Sequence, residues 1–70
     1  MLPHPENLAV GSEYLLRVRV DGKTSEMVVG TFSGMDVSKG RLFLRFRDAA
    51  EDTSEVWIAW VEIEQLVLVQ

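Results

Sequence analysis

The sequence predicts an all-β protein: a small, five-stranded, strongly bent antiparallel barrel behind a short N-terminal arm. Three observations predict it. Apolar residues alternate with polar ones in Tyr14–Val20 and again in Arg41–Arg47, the two-residue period of a strand with one buried face. Glycines and an Asp-Gly pair punctuate the chain at the spacing of turns and strand bends. No segment demands a long helix.

Residues 1–10 carry both prolines and are expected to form an arm, with one short helical turn at Pro5–Leu8. Residues 11–70 are expected to form the single domain. In Tyr14–Val20 (YLLRVRV), Leu16, Val18 and Val20 share one face, and Arg17 and Arg19 the other. Asp21-Gly22 then predicts a tight turn. The second strand, Glu26–Met35, contains Gly30 and Gly34, which suit bends or bulges where a strand curves round a barrel.

Arg41–Arg47 (RLFLRFR) sets Leu42, Leu44 and Phe46 on one face against Arg41, Phe43, Arg45 and Arg47 on the other. Asp48–Glu55 is acidic and polar and reads as a loop. Val56–Val61 is the fourth strand, Glu62–Gln65 a single helical turn, and Leu66–Gln70 the fifth strand. Val56, Trp60, Ile63 and Val67 also fall at helical spacing, but the Val, Ile and Trp content favours strands. The expected core is Leu16, Val18, Val20, Val29, Leu42, Leu44, Phe46, Ile58, Ile63 and Leu66.

A chain of 70 residues buries only about 60% of the surface it exposes when unfolded, so its core is marginal. Domains this small usually lean on disulfides, a metal or a partner chain. There is no cysteine, and a single histidine, His4, lies between two prolines, which removes the first two supports. No cofactor is expected. Apolar residues make up 47% of the chain, more than one small barrel can hide, and surplus apolar surface marks interfaces. Leu66–Val69 is apolar on both faces, and an open terminal edge of that kind invites pairing with another copy. The expected oligomer interface is Val56, Trp57, Trp60, Leu66, Val67, Leu68 and Val69, with Leu15 and Phe43 also left over once the core is filled. Trp57 and Trp60 point to opposite faces of a continuous strand, so one is expected inside and one at the surface.

No apolar run reaches the ~20 residues of a membrane span, and MLPHPENLAV lacks the features of a secretory signal. The expectation is a cytoplasmic protein without membrane contact. Eleven acids outnumber seven Lys and Arg, for a net charge of −4, a field that repels a polyanion. Asp48, Glu51, Asp52 and Glu55 lack the pattern of a calcium loop and read as a solvated acidic loop. No Ser-His or Cys-His pairing offers a nucleophile, so an enzyme is not expected. Asp36 is expected to cap its turn by an Asx-type bond.

The order of parts resembles the Sm-like family: a glycine before the first strand, an Asp-Gly hairpin, a long bent second strand, a turn with an acid, and an Ile-rich ending. The likeness covers roughly residues 8–69. Its best part is the run Gly30, Thr31-Phe32-Ser33, Gly34, Met35 and Asp36. Ile58, Ile63 and Leu66 match the family's second motif. Barrels of the broader SH3-like type share the bent strands and glycine corners; the Gly-x-x-x-Gly-x-Asp run favours the Sm-like group. The resemblance implies rings closed by pairing one copy's fourth strand with the next copy's fifth, and single-stranded RNA bound inside the ring.

The base pocket of that family is degenerate here. Gly40 stands where the family has a base-bonding asparagine, Ala59-Trp60 where it has Arg-Gly, and Ser38 or Lys39 where it has a stacking side chain. Stacking on an aromatic group contributes ~1–3 kcal/mol per base, so losing stacking and hydrogen bonding together should abolish specific uridine-type binding there. Two functions follow. One is a self-assembling scaffold, with another protein as a further partner, whose RNA pocket has been lost. The other is RNA binding on a displaced surface of Asp36, Lys39, Arg41, Phe43, Arg45 and Arg47, interleaving cations with an aromatic ring. The competing reading of Arg17, Arg19, Arg41, Arg45 and Arg47 is ordinary solvent-facing positions paired with acids such as Glu26, Glu51, Glu55 and Glu62.

Overall fold

The computed structural model describes residues 4–48 and 54–70. A single-turn 3-10 helix at Pro5–Asn7 precedes five strands: β1 (Glu13–Arg19), β2 (Ser25–Ser38), β3 (Arg41–Asp48), β4 (Glu55–Ala59) and β5 (Ile63–Leu68). A second 3-10 turn, Trp60–Glu62, joins β4 to β5. All neighbours are antiparallel, in the order β4-β3-β2-β1-β5. No helix among the described residues is long and apolar enough to cross a membrane.

The sheet coils because β2 has to. Its 14 residues would run about 46 Å if straight, yet the longest dimension of the molecule is 27 Å. β2 pairs with β1 over Ser25–Thr31 and with β3 over Gly30–Ser38, so it belongs to both halves of a barrel-like body. The crossing point is Gly30, opposite both Tyr14 and Asp48. A Cβ there would come within 3.0 Å of the Arg47 carbonyl and 3.1 Å of the Phe46 Cβ, so glycine permits this close approach of backbones. Three positions on, Ser33 is the extra residue of a β-bulge: Phe32 faces Phe46, and Gly34 already faces Arg45.

That bulge reorders the core. Before it, even positions of β2 point inward, ending in Phe32; after it, Met35 faces Leu44 and Val37 faces Leu42. The buried set is Tyr14, Leu16, Phe32, Leu44, Phe46, Ile58, Ile63 and Leu66, with Leu8, Val18 and Trp60 packed against it. Three expectations are corrected. Val29 is 38% exposed because the opposition of Leu16 to Val28 turns it outward. Val20 is 54% exposed because β1 ends at Arg19 and Val20 opens the hairpin. Leu42 is only half-buried, near the open end of the sheet. Tyr14 and Phe32 take their places, and with Phe46 they form an aromatic cluster with ring centroids 5.6–6.4 Å apart, Tyr14 meeting both Phe rings edge to face and the two Phe rings tilted against each other. The Tyr14 hydroxyl accepts the Ala9 N–H at 2.9 Å, fastening the arm to the core.

The boundaries also move. β2 runs on to Ser38, β4 stops at Ala59, the helical turn is Trp60–Glu62, and β5 starts at Ile63. The last shift follows from a second bulge, at Glu64, between the pairs Val18–Ile63 and Arg17–Gln65. Glu64 is thereby aimed at β1 and β2. It accepts from Arg19 at 2.9 Å and from the Ser25 hydroxyl. The Ser25 bond, then the Arg19 guanidinium, hold the Glu64 carboxyl below its ordinary value of 4.5.

A group depressed in the folded state stabilises the fold above its ordinary value, and that support disappears as pH falls through the lowered one. Glu64→Gln is therefore expected to lower the urea midpoint at neutral pH and to flatten its decline below about pH 4.5. Parallel curves for the two proteins across that range would show that Glu64 carries none of the acid sensitivity. In the β1–β2 hairpin, the Asp21 carboxylate accepts the N–H groups of Lys23 (3.0 Å) and Thr24 (2.9 Å) and the Thr24 hydroxyl (3.0 Å). This closes the turn around Gly22, whose φ is +84°.

Candidate functional site

Two features of the sheet have functional content: its outer face over β2, β3 and β4, and its two free edges. The outer face gathers the residues of the candidate RNA surface. Gly34 and Asp36 of β2 face Arg45 and Phe43 of β3, and Arg45 faces Trp57 of β4. Lys39 and Gly40 form the β2–β3 turn, both with positive φ, 52° and 76°, the signature of a tight hairpin. Arg41 and Arg47 lie on β3 and are exposed. The six residues named from the sequence thus share one strand face and its adjoining turn.

Their chemistry differs from the expectation. Asp36 does not cap the turn. It lies within β2, and its Oδ2 is 2.6 Å from Nε of Arg45. Nη1 of Arg45 is 3.8 Å from Glu55 Oε2. The Ser33 hydroxyl lies 2.8 Å from that same Glu55 oxygen and 3.2 Å from the Arg45 carbonyl. The guanidinium lies across Gly34, where a Cβ would collide with it. Arg45 is therefore clamped by two carboxylates on a glycine floor and is not offered to a phosphate. Sequence alternation missed this network because Ser33 and Gly34 meet Arg45 only through the bulge. The signal available was the conjunction of a glycine, an acid and an arginine in strands that had to pair.

Arg19 is likewise taken up by Glu64. β1 and β3 are separated by β2, so the arginines of the two strands form no continuous stripe. Of the acids expected to pair with them, Glu55 does so and Glu51 lies outside the described residues. What remains open on this face is Phe43 against Trp57, ring centroids 6.1 Å apart, with Arg41, Arg47 and Lys39 around them. Among the described residues no cluster of His, Asp or Glu could hold a metal ion.

A cleft of about 320 Å³ opens beside the β2–β3 turn, lined by Gly40, Arg41, Leu42, Ala59, Trp60 and Glu62, among others. Three of them, Gly40, Ala59 and Trp60, are positions at which the Sm-like resemblance puts a base pocket. Gly40 and Ala59 bring no polar side chain to it, and Trp60 is half-buried against the core. Arg41 and Glu62 are its charged groups, of opposite sign.

Among the described residues the free edges are β4 at one end of the sheet and β5 at the other. Around them Val56, Trp57, Val67, Leu68 and Val69 are each about half exposed. Two of the residues assigned to the interface belong elsewhere. Leu66 is 7% exposed and part of the core, and Trp60 leaves the strand line because β4 ends before it. The hydrogen-bond phase of β5 is set by the Val69 N–H, which donates to the Glu13 carbonyl at 2.8 Å. Bonded pairs alternate along an antiparallel ladder, so the pairs Leu15–Val67 and Arg17–Gln65 carry the bonds to β1. The backbone groups of Leu66 and Leu68 point away, to the open side.

Compared with protein-family models, with curated proteins and with solved structures, the chain gives no match.

Proposed function

We propose that this chain is a non-enzymatic assembly module of the Sm-like kind, a homo-oligomer that closes into a ring and serves as a protein-interaction scaffold in the cytoplasm. The observation that carries the reading is the pair of open edges at opposite ends of one sheet, β4 and β5, with half-exposed apolar side chains around both. An edge with unpaired N–H and C=O groups is a template for another strand. When the two templates differ, pairing repeats head to tail, and a rotation per copy that divides the full turn closes it into a ring rather than a filament. Chain length adds to the case, since so small a core gains from a shared one. The strand order and the bent β2 suit the Sm-like resemblance, as does the Gly30–Asp36 run. The test is mass in dilute solution across a hundred-fold range of concentration, by light scattering or native mass spectrometry. A single discrete oligomer of three or more copies supports the ring; a monomer throughout removes it.

Loss of the RNA pocket is part of the proposal. Gly40, Ala59 and Trp60 supply neither the base-bonding amide nor the stacking arginine, and the one arginine central to the outer face is neutralised by Asp36 and Glu55. Short oligo-U and oligo-A are therefore expected to show no binding at micromolar protein, even at low salt where phosphate contacts are strongest. Salt-sensitive binding at that concentration would instead favour the surface around Phe43, with Lys39, Arg41 and Arg47 as the phosphate contacts.

A further inference from the structure

The outer face of β5, β1 and the first half of β2 carries an apolar row that the core does not use and that runs inward from the β5 edge. Val67, Leu15 and Val29 lie directly opposite one another across the three strands. Met27 and Val69 extend the row diagonally, and all but the half-buried Leu15 are between 38% and 54% exposed. A contiguous patch of this kind on so small a domain marks an interaction surface.

Charge says what covers it. Glu13 and Arg17 sit two residues to either side of Leu15 on β1, hence on the same face. Among the described residues neither takes part in a salt bridge. Two copies can stack these faces about an in-plane two-fold axis, and the axes along and across the strands differ in the charges they bring together. An axis parallel to the strands puts Glu13 on Glu13 and Arg17 on Arg17, which repel. An axis across the strands, through the Leu15 row, puts Glu13 of each copy over Arg17 of the other. It also keeps Val67, Leu15 and Val29 on their counterparts. The face is self-complementary in that second arrangement alone.

We infer that the Val67–Leu15–Val29 face is a second self-association surface, mating with another copy of this chain about a two-fold axis across the strands, with reciprocal Glu13–Arg17 contacts. It is separate from the edge pairing proposed above. If both operate, the face joins one edge-paired assembly to another; if edge pairing fails, it is a simple dimer. Aligned packing of two sheets about 10 Å apart is the geometry required.

The test uses charge reversal. Glu13→Arg and Arg17→Glu each turn two opposite-sign contacts into like-sign ones, because a two-fold axis repeats every contact. Each single variant should weaken face association roughly ten-fold or more, and the double exchange should restore it, since the signs again alternate. Val29→Asp, on an interior strand away from both edges, should also weaken it. The reversals are read by sedimentation across a concentration series in the wild-type background and in Leu68→Pro, where edge pairing is cut and a face dimer should remain. In that background Glu13→Arg should give a monomer and Glu13→Arg with Arg17→Glu a dimer. Unchanged association in both single reversals, or double exchange without recovery, overturns the inference. A wild-type dimer indifferent to Leu68→Pro would sink the ring and leave this face standing.

Discussion

Phe46→Ala is expected to leave the isolated chain largely unfolded at room temperature. Phe46 is 2% exposed and meets Phe32 at 5.6 Å and Tyr14 at 6.4 Å between ring centroids. It also lies beneath Gly30, where β2 passes from one half of the barrel to the other. Truncating a buried Phe to Ala costs about 3–5 kcal/mol. A 70-residue chain has a total stability of roughly 3.5–10 kcal/mol at typical per-residue values. The loss is thus comparable with everything the fold has. Far-UV circular dichroism and tryptophan fluorescence should report an absent or strongly shifted cooperative transition. Val61→Ala, at a residue 80% exposed, is the control and should stay within about 0.5 kcal/mol. Assembly stabilises whatever it binds, so the comparison belongs at several protein concentrations. A Phe46→Ala melt within a few degrees of wild type in dilute solution would mean that the aromatic cluster is not the keystone of the barrel.

The second large effect concerns association. Leu68→Pro should convert edge-paired oligomers to smaller species while keeping the fold. The Leu68 N–H points away from β1, toward the open side of β5, so proline removes no bond within the subunit. It removes a donor that an incoming strand needs, and its ring obstructs the approach. Each seam then loses a hydrogen bond worth about 0.5–1.5 kcal/mol as well as contact along the edge. In the proposed ring the loss recurs at every seam. Val67→Pro is the informative contrast. Its N–H is on the bonded side, facing Leu15, so it should unfold the subunit rather than release it. Native mass spectrometry with circular dichroism separates the two results. Leu68→Pro that retains the wild-type mass would put the seam somewhere other than the β5 edge.

The fold was largely legible because an exposed sheet with one buried face imposes a two-residue period. β1 and β3 obey that period, and of the residues expected inward there Leu16, Leu44 and Phe46 are buried, Val18 and Leu42 half-buried, and Val20, beyond the end of β1, exposed. β2 was misread at Val29 and Phe32. Within one strand a bulge reverses inside and outside, and no local pattern announces the residue at which it occurs. The same bulge concealed the candidate site. Asp36, Phe43 and Arg45 were recognised as one group, with two readings open: a surface for RNA, or arginines paired with acids such as Glu55. Their charges are in fact turned on one another, through a contact that needs Ser33 to be looped out and Gly34 to be bare.

Alternation and glycine placement determined the fold class, and composition the surplus of apolar side chains and the absence of any disulfide, since each depends only on residue identity along the chain. The tertiary structure decided which strands are left at the edges, which arginines are already neutralised, and that Leu15, Val29 and Val67 form one row. Those are matters of register between distant segments. Register is set by the sum of all cross-strand contacts and by two single-residue bulges, at Ser33 and Glu64, which no short stretch of sequence contains.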